Sequence, residues 1–121
     1  MEQNELRIGN WVLDEGKEVQ IDGLQATGRI VVEDWTYDDG KRGIEPNGIK
    51  LTGDKIKKCG FDNSKTSTYR KGLFFIYPPG SPESDFGFGV KGIGLIRSIK
   101  YIHELQNICF ILNGEEIQYT P

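Results

Sequence analysis

The sequence has few of the side chains from which metal sites and reaction centres are built. Its 121 residues include two cysteines, Cys59 and Cys109, and a single histidine, His103. Structural zinc sites need four such ligands, so the sequence predicts no metal site, and it predicts no cofactor. The two cysteines lie far apart in apolar helical patterns. We expect buried, reduced thiols, with a single disulfide open as the alternative.

Long apolar runs are also missing. No stretch reaches the roughly 18 apolar residues that cross a bilayer. Residues 1–5 (MEQNE) have neither the basic nor the apolar segment of a signal peptide. We therefore expect a cytoplasmic protein with no membrane partner.

The protein carries little net charge. The net charge is −3, from 15 Lys and Arg against 18 Asp and Glu. The first 62 residues carry −4 and the remainder +1, so neither half has the basic surface of a typical nucleic-acid-binding protein. Nucleic acid is therefore the least favoured partner.

The length and the glycine content indicate the fold class. A chain of 121 residues fits one domain, residues 1–121, because two cores of half that size would each be marginal. Sixteen glycines separate short apolar runs, which is typical of many turns between strands. We predict an α+β fold: a twisted antiparallel sheet, or a small SH3-like open barrel, covered by a C-terminal helix.

Residues 1–46 have the pattern of a β-meander. Apolar and alternating segments predict strands at residues 6–13, 17–22 and 29–35, with Gly16 in the first turn. Residues 38–43 (DDGKRG) predict a polar loop. Three short strands with tight turns resemble the opening of an SH3-like barrel.

The middle of the chain predicts a short helix followed by strands. Residues 52–60 have Thr52 as N-cap and Gly60 as the left-handed residue that ends the helix. Residues 66–97 are rich in β-branched and aromatic side chains and predict strands. In residues 86–90 (FGFGV), Phe and Val would face one side while the glycines permit close approach on the other.

The clearest predicted element is a helix over residues 98–113, closed by Gly114. Its predicted core stripe consists of Tyr101, Ile102, Leu105, Ile108, Cys109 and Leu112. Ile99, Phe110 and Ile111 lie off that stripe. Either other parts of the fold pack on both sides of the helix, or these three residues contact a partner. That partner could be a second copy of the chain, in a homo-oligomer formed through the C-terminal helix. Residues 115–119 predict a short closing strand or an ordered tail.

Three segments carry a resemblance. They read LRIGNWV at residues 6–12, LT at 51–52 with KCGF at 58–61, and YIHELQN at 101–107 followed by LNGEE at 112–116. Together they resemble a group of small proteins without an assigned activity in Bacteroidetes genomes, their prophages and mobile elements. The resemblance implies a phage or mobile-element protein in the cytoplasm of a bacterial host, and it implies no functional residues.

Candidate catalytic patterns are weak. Residues 87–92 (GFGVKG) match G-x-G-x-x-G, but a dinucleotide site needs that motif between a strand and a helix. His103 lies on a helix flank, where a core-edge hydrogen bond is the more frequent role than general base catalysis. The paired carboxylates Glu33-Asp34 and Asp38-Asp39 point to opposite faces if extended. We therefore predict that the protein is not an enzyme and has no catalytic residues.

Binding is the function that the sequence favours. Arginines beside aromatic side chains suit an anionic ligand with a ring, such as a nucleotide. The candidate ligand-binding residues are Trp35, Tyr37, Arg42, Tyr69, Arg70 and Arg97. The leading hypothesis is sequestration of a small anionic molecule. The alternatives are an adaptor or inhibitor that binds a protein through the last helix, and an SH3-like nucleic-acid-binding module.

Overall fold

Antiparallel strands and two helices make up the regular structure of the described residues, which confirms the predicted α+β class. The computed structural model describes residues 6–24, 30–34, 36, 40–63, 68–81, 84–114 and 116–121. The contacts between residues group the chain into two compact units, Met1–Ile49 and Lys50–Pro121. The assignment of residues 1–121 to one domain stays a prediction.

In the first unit, the described residues form five strands in two sheets. They are β1 (Trp11–Asp14), β2 (Lys17–Gln20), β3 (Gly23–Leu24), β4 (Ile30–Glu33) and β5 (Lys41–Ile44). β1 and β2 form a hairpin, whereas β3, β4 and β5 form a separate antiparallel sheet in that order. The predicted turn is confirmed, with Glu15 and Gly16 both at positive φ. Gly16 accepts this conformation without the steric cost that a side chain brings.

Two predictions for this unit are wrong. The first strand begins at Trp11 rather than at residue 6, and the segment predicted as a polar loop contributes Lys41, Arg42 and Gly43 to β5. β5 pairs with β4 residue by residue, from Ile30 opposite Ile44 to Glu33 opposite Lys41. Pairing with a neighbouring strand satisfies the backbone of a segment whose polar composition predicts a loop. The described strands therefore do not form one continuous meander or a closed barrel.

Apolar side chains from four strands and their connections fill the core of the first unit. The cluster consists of Leu6, Val12, Ile21, Ile30, Val32 and Ile44, with Val19 packed against it. In the hairpin, Val12 lies opposite Val19, which places one apolar pair in this core.

The second unit begins with the helix α1 (Gly53–Lys58), whose predicted ends are confirmed. Thr52 is the N-cap, and its hydroxyl accepts a hydrogen bond from the Lys55 N–H at 3.3 Å. Gly60 is left-handed, and the Phe61 N–H donates to the Ile56 C=O at 3.4 Å. This pattern ends a helix by satisfying its last carbonyl groups.

A four-stranded antiparallel sheet follows α1. Its strands are β6 (Tyr69–Lys71), β7 (Phe74–Tyr77), β8 (Phe86–Val90) and β9 (Gly94–Ile99), in that spatial order. One face is buried, because Ile76 lies opposite Phe88 and both are inaccessible to solvent. We call the opposite side the outer face. The G-x-G-x-x-G match falls in β8 and the following turn, so it is part of a hairpin and does not precede a helix.

The last helix, α2 (Ile102–Asn113), begins four residues later than predicted. Ser98 and Ile99 belong to β9, where Ile99 lies opposite Phe86 and is buried. Tyr101 is the N-cap, and the Glu104 carboxylate accepts from the Tyr101 N–H at 3.0 Å, an arrangement that satisfies a free backbone donor. Gly114 ends the helix as predicted, at positive φ.

The buried stripe of α2 is rotated relative to the prediction. Ile102, Leu105 and Cys109 are buried as expected, but Leu112 is half exposed, and His103 and Gln106 are buried in its place. Residues 116–121 form an irregular tail, as one of the two alternatives predicted, and its Ile117 and Tyr119 are buried. The Thr120 N–H donates to the Lys58 C=O at 3.2 Å, which fixes this tail to the end of α1.

Candidate functional site

Arg42, a candidate ligand-binding residue, is held by two carboxylates within the first unit. Its Nη2 donates to Oδ2 of Asp14 at 2.6 Å, and its Nε donates to Oδ2 of Asp34 at 2.9 Å. Both hydrogen bonds raise the pKa of the guanidinium, and the bond to Asp14 has the larger effect. Two acids against one base leave this network with an excess of negative charge. Arg42 is therefore poorly suited to attract an anion.

The cavity beside Arg42 also carries an excess of negative charge. It encloses about 330 Å³, and one side is formed by Trp11 with residues of β2 and β4. Three acidic side chains line it, namely Glu18, Asp22 and Glu33. Carboxylates of this number repel a phosphate or a nucleotide.

Two of the candidate residues, Trp35 and Tyr37, lie outside the described residues. The remaining three, Tyr69, Arg70 and Arg97, belong to the second unit, and they diverge there. Tyr69 and Arg70 are neighbours in β6, so their side chains point to opposite faces of the sheet. The Tyr69 phenol reaches α1, because its Oη would lie 2.5 Å from a Cβ placed on Gly53.

Arg97 is engaged at the start of α2. Its Nη2 lies 3.3 Å from Oε2 of Glu104, and its Nε donates to the Ser98 C=O at 3.2 Å. Arg70, in contrast, is exposed on the outer face and has no ion-pair partner among the described residues. Within the second unit, the three candidates thus do not form one pocket.

The outer face of the four-stranded sheet is a surface that the sequence analysis missed. Phe75 and Tyr77 of β7 project there, and their rings stack with centroids 6.5 Å apart. Tyr77 and Leu95 cover the two glycines of β8, since a Cβ on Gly89 would lie 2.9 Å from Cε2 of Tyr77 and one on Gly87 would lie 2.8 Å from Cδ1 of Leu95. Leu95 is 65% exposed and Tyr77 is 37% exposed.

A shallow cavity of about 420 Å³ adjoins this aromatic surface. Its lining consists of Tyr77, Pro78, Pro79, Gly80, Asp85, Gly87, Leu95 and Ser98. Among the described residues, Asp85 is the only charged one in this lining, and its carboxylate has no ion-pair partner there. The alternation of large and absent side chains in residues 86–90 was the available sequence signal. This pattern predicted that the glycines of β8 lie on one side of the strand. It did not predict which side chains cover them.

The C-terminal end of α2 is a second exposed apolar surface, which we call the α2 end. It consists of Phe110, Ile111 and Leu112, which are 39%, 79% and 50% exposed. Residues 108–113 carry no charge. Three consecutive helical residues point in directions about 100° apart, so the α2 end presents apolar side chains on more than one side.

The single histidine and both cysteines are buried. His103 is 1% exposed on α2, where its ring stacks on Tyr101 at a centroid distance of 5.5 Å. Cys59 and Cys109 are free and buried, and burial raises the pKa of each thiol to about 12. His, Cys, Asp and Glu of the described residues form no group of three that could hold a metal ion.

No family model, curated protein or solved structure matches this chain. Neither described helix combines the length and the apolar composition needed to cross a membrane.

Proposed function

We propose that this protein is a non-catalytic binding protein whose partner is another protein, held by the α2 end. The observation that carries the proposal is the exposure of Phe110, Ile111 and Leu112 on consecutive positions of one helix. Single exposed apolar residues are common, whereas adjacent ones on an uncharged helix end are typical of interaction surfaces.

The chemistry of the α2 end defines the partner. Without charged side chains among residues 108–113, recognition depends on the burial of apolar surface. The helix ends at Gly114, so a partner can enclose its last turn from several sides. We therefore expect an apolar groove on the partner, into which Phe110 and Ile111 insert.

The resemblance to proteins of Bacteroidetes prophages and mobile elements supports a role inside a bacterial host cell. We expect the partner to be a host or phage protein in a bacterial cytoplasm, and the bound protein to act as an adaptor or an inhibitor.

Affinity capture from such a host tests the proposal. The bait is the purified chain, compared with Ile111→Glu and Phe110→Ser, which make the α2 end polar. Lys57→Glu on α1 is the matched control, because it introduces the same carboxylate at an exposed helical position elsewhere. We expect one protein to be captured by the wild type and by Lys57→Glu, and its yield to fall at least about tenfold with Ile111→Glu. Equal capture by all four baits contradicts the proposal.

Sequestration of a small anion is the second candidate function. The exposed Arg70 guanidinium, which has no ion-pair partner in the described ranges, supports it. A ligand that binds only the folded chain raises its melting temperature. A nucleotide that raises the melting temperature of the wild type but not of Arg70→Ala would favour this candidate over protein binding.

A further inference from the structure

Two turns lie side by side at one end of the four-stranded sheet. One joins β6 to β7 at residues 72–73, and the other joins β8 to β9 at residues 91–93. β7 and β8 are paired up to this end, and the Lys91 N–H donates to the Leu73 C=O at 2.8 Å. This hydrogen bond joins the two turns. We call them, together with Lys71, the sheet tip.

The sheet tip presents apolar side chains to solvent. Leu73 is 61% exposed and Ile93 is 73% exposed. Apart from its chain neighbours, a Cβ placed on Gly72 or Gly92 would meet no atom within 4 Å, so no described residue covers the two turns at these positions. The two aliphatic side chains therefore project from the ends of two neighbouring hairpins.

Lysines flank these apolar side chains. Lys71 immediately precedes the first turn and Lys91 begins the second, and both are exposed without an ion-pair partner among the described residues. Nζ of Lys71 would lie 3.2 Å from a Cβ placed on Gly60, so its ammonium group lies beside the end of α1. The sheet tip thus combines two aliphatic side chains with two ammonium groups.

The charge of the sheet tip is positive. No acidic residue occurs in the four strands or in the two turns. Asp62 is the cross-strand neighbour of Arg70, so its charge is set against that of the arginine. Asp85 and Glu104 lie at the opposite end of the sheet, where β8 begins and where α2 follows β9. The charge at the tip itself therefore comes from its two lysines.

We propose that the sheet tip binds the surface of a lipid bilayer that contains anionic lipids. Leu73 and Ile93 enter the boundary between headgroups and acyl chains, while Lys71 and Lys91 contact the lipid phosphates. Long lysine side chains keep their charge at the headgroup level while their methylene groups cover apolar surface. Two aliphatic side chains alone bind a bilayer weakly, so attachment also requires the attraction of both lysines to anionic lipid.

Charge complementarity distinguishes this partner from the partner of the α2 end. Residues 108–113 carry no charge, which suits an apolar groove, whereas cations flank the apolar side chains of the sheet tip. The sequence predicted no membrane partner because it has no apolar run long enough to cross a bilayer. Attachment at the bilayer surface requires no such run, and the proposal departs from that prediction on this ground.

Co-sedimentation of the purified full chain with lipid vesicles tests the proposal. Phosphatidylcholine vesicles with about one third phosphatidylglycerol supply anionic lipid, and vesicles of phosphatidylcholine alone are the neutral comparison. We expect the wild type to bind the anionic vesicles and not the neutral ones. Two double variants, Leu73→Ser with Ile93→Ser and Lys71→Gln with Lys91→Gln, should each lower the ratio of bound to free protein at least about tenfold. Salt at about 1 M, where the Debye length is about 3 Å, should release the wild type.

Matched controls separate this proposal from protein binding through the α2 end. Ile111→Ser removes an exposed isoleucine from the α2 end, and Lys50→Gln removes an exposed lysine that pairs with Tyr101 beyond the other end of β9. Both controls should bind anionic vesicles like the wild type, and circular dichroism should show that all variants are folded.

Three results would overturn the proposal. The first is a wild type that stays in the supernatant with anionic vesicles. The second is equal binding by the wild type and both double variants. The third is a loss of binding with Ile111→Ser as large as with the double variants, because the α2 end would then be the surface that contacts the bilayer.

Discussion

Arg42 of β5 donates a 2.6 Å hydrogen bond to Asp14 at the end of β1, which links the two sheets of the first unit. The Asp14 side chain is 9% exposed, so its charge is largely shielded from water. An ion pair removed from solvent is costly to break from one side, because the remaining charge is left without a partner.

Replacing Asp14 should therefore destabilise the protein. We expect Asp14→Asn to lower the free energy of unfolding by about 1.5–3 kcal/mol, the range for hydrogen bonds that involve charged groups. Urea unfolding monitored by circular dichroism measures this change. The matched control is Asp22→Asn, whose carboxylate lies 3.4 Å from Nζ of Lys41 in a pair that is largely exposed. We expect this control to change stability by less than about 1 kcal/mol; equal losses from both variants would contradict the assigned role of Asp14.

Acidification should weaken the first unit through Asp34. Hydrogen bonds from the Thr36 hydroxyl and the Thr36 N–H, and then from Arg42, lower the pKa of Asp34 below its ordinary value of 3.8. A lowered pKa in the folded state means that the ionised group stabilises the fold above the unfolded-state pKa, and that this contribution is lost as the pH falls through the folded-state pKa.

The test compares the pH dependence of unfolding in Asp34→Asn and the wild type. We expect the variant to be less stable near neutral pH and to lose less stability below about pH 4. Thr36→Ala removes the 2.6 Å hydrogen bond to Oδ1 of Asp34 and should give an intermediate profile. Parallel profiles for Asp34→Asn and the wild type would refute the assignment.

A side chain at Gly89 should destabilise the four-stranded sheet. A Cβ there would lie 2.9 Å from the Gly94 carbonyl oxygen, so the backbone of β9 would have to move. We expect Gly89→Ala to lower the free energy of unfolding by about 1–3 kcal/mol, as overpacking does. Gly87→Ala should cost less, since the nearest atom is the mobile end of Leu95. Gly80→Ala has open space around it and should stay within about 0.5 kcal/mol.

Cys59 and Cys109 should be unreactive in the folded protein. Burial raises the pKa of both thiols to about 12, and the charge of Cys59 adds to the effect at Cys109. The thiolate is the reactive form, so very little of either thiol can react at pH 8. We expect a thiol reagent to label neither cysteine in the native chain and both after unfolding in urea. Labelling of the native chain at the rate of a free thiol would show that one of them is accessible.

The sequence by itself determined the features that depend on a few neighbouring residues. The Thr52 cap, the left-handed Gly60 and Gly114, and the turn at Gly16 were all predictable, because their physical cause is local backbone geometry. The alternation of residues 86–90 likewise determined which side of β8 carries the large side chains.

Tertiary structure alone decided the features that depend on distant partners. Lys41–Ile44 is a strand because β4 lies beside it, and Ile99 ends a strand rather than beginning a helix because Phe86 lies opposite. The outer face arises in the same way, since residues of four strands meet there through cross-strand register. Register couples positions tens of residues apart, and no local propensity specifies it.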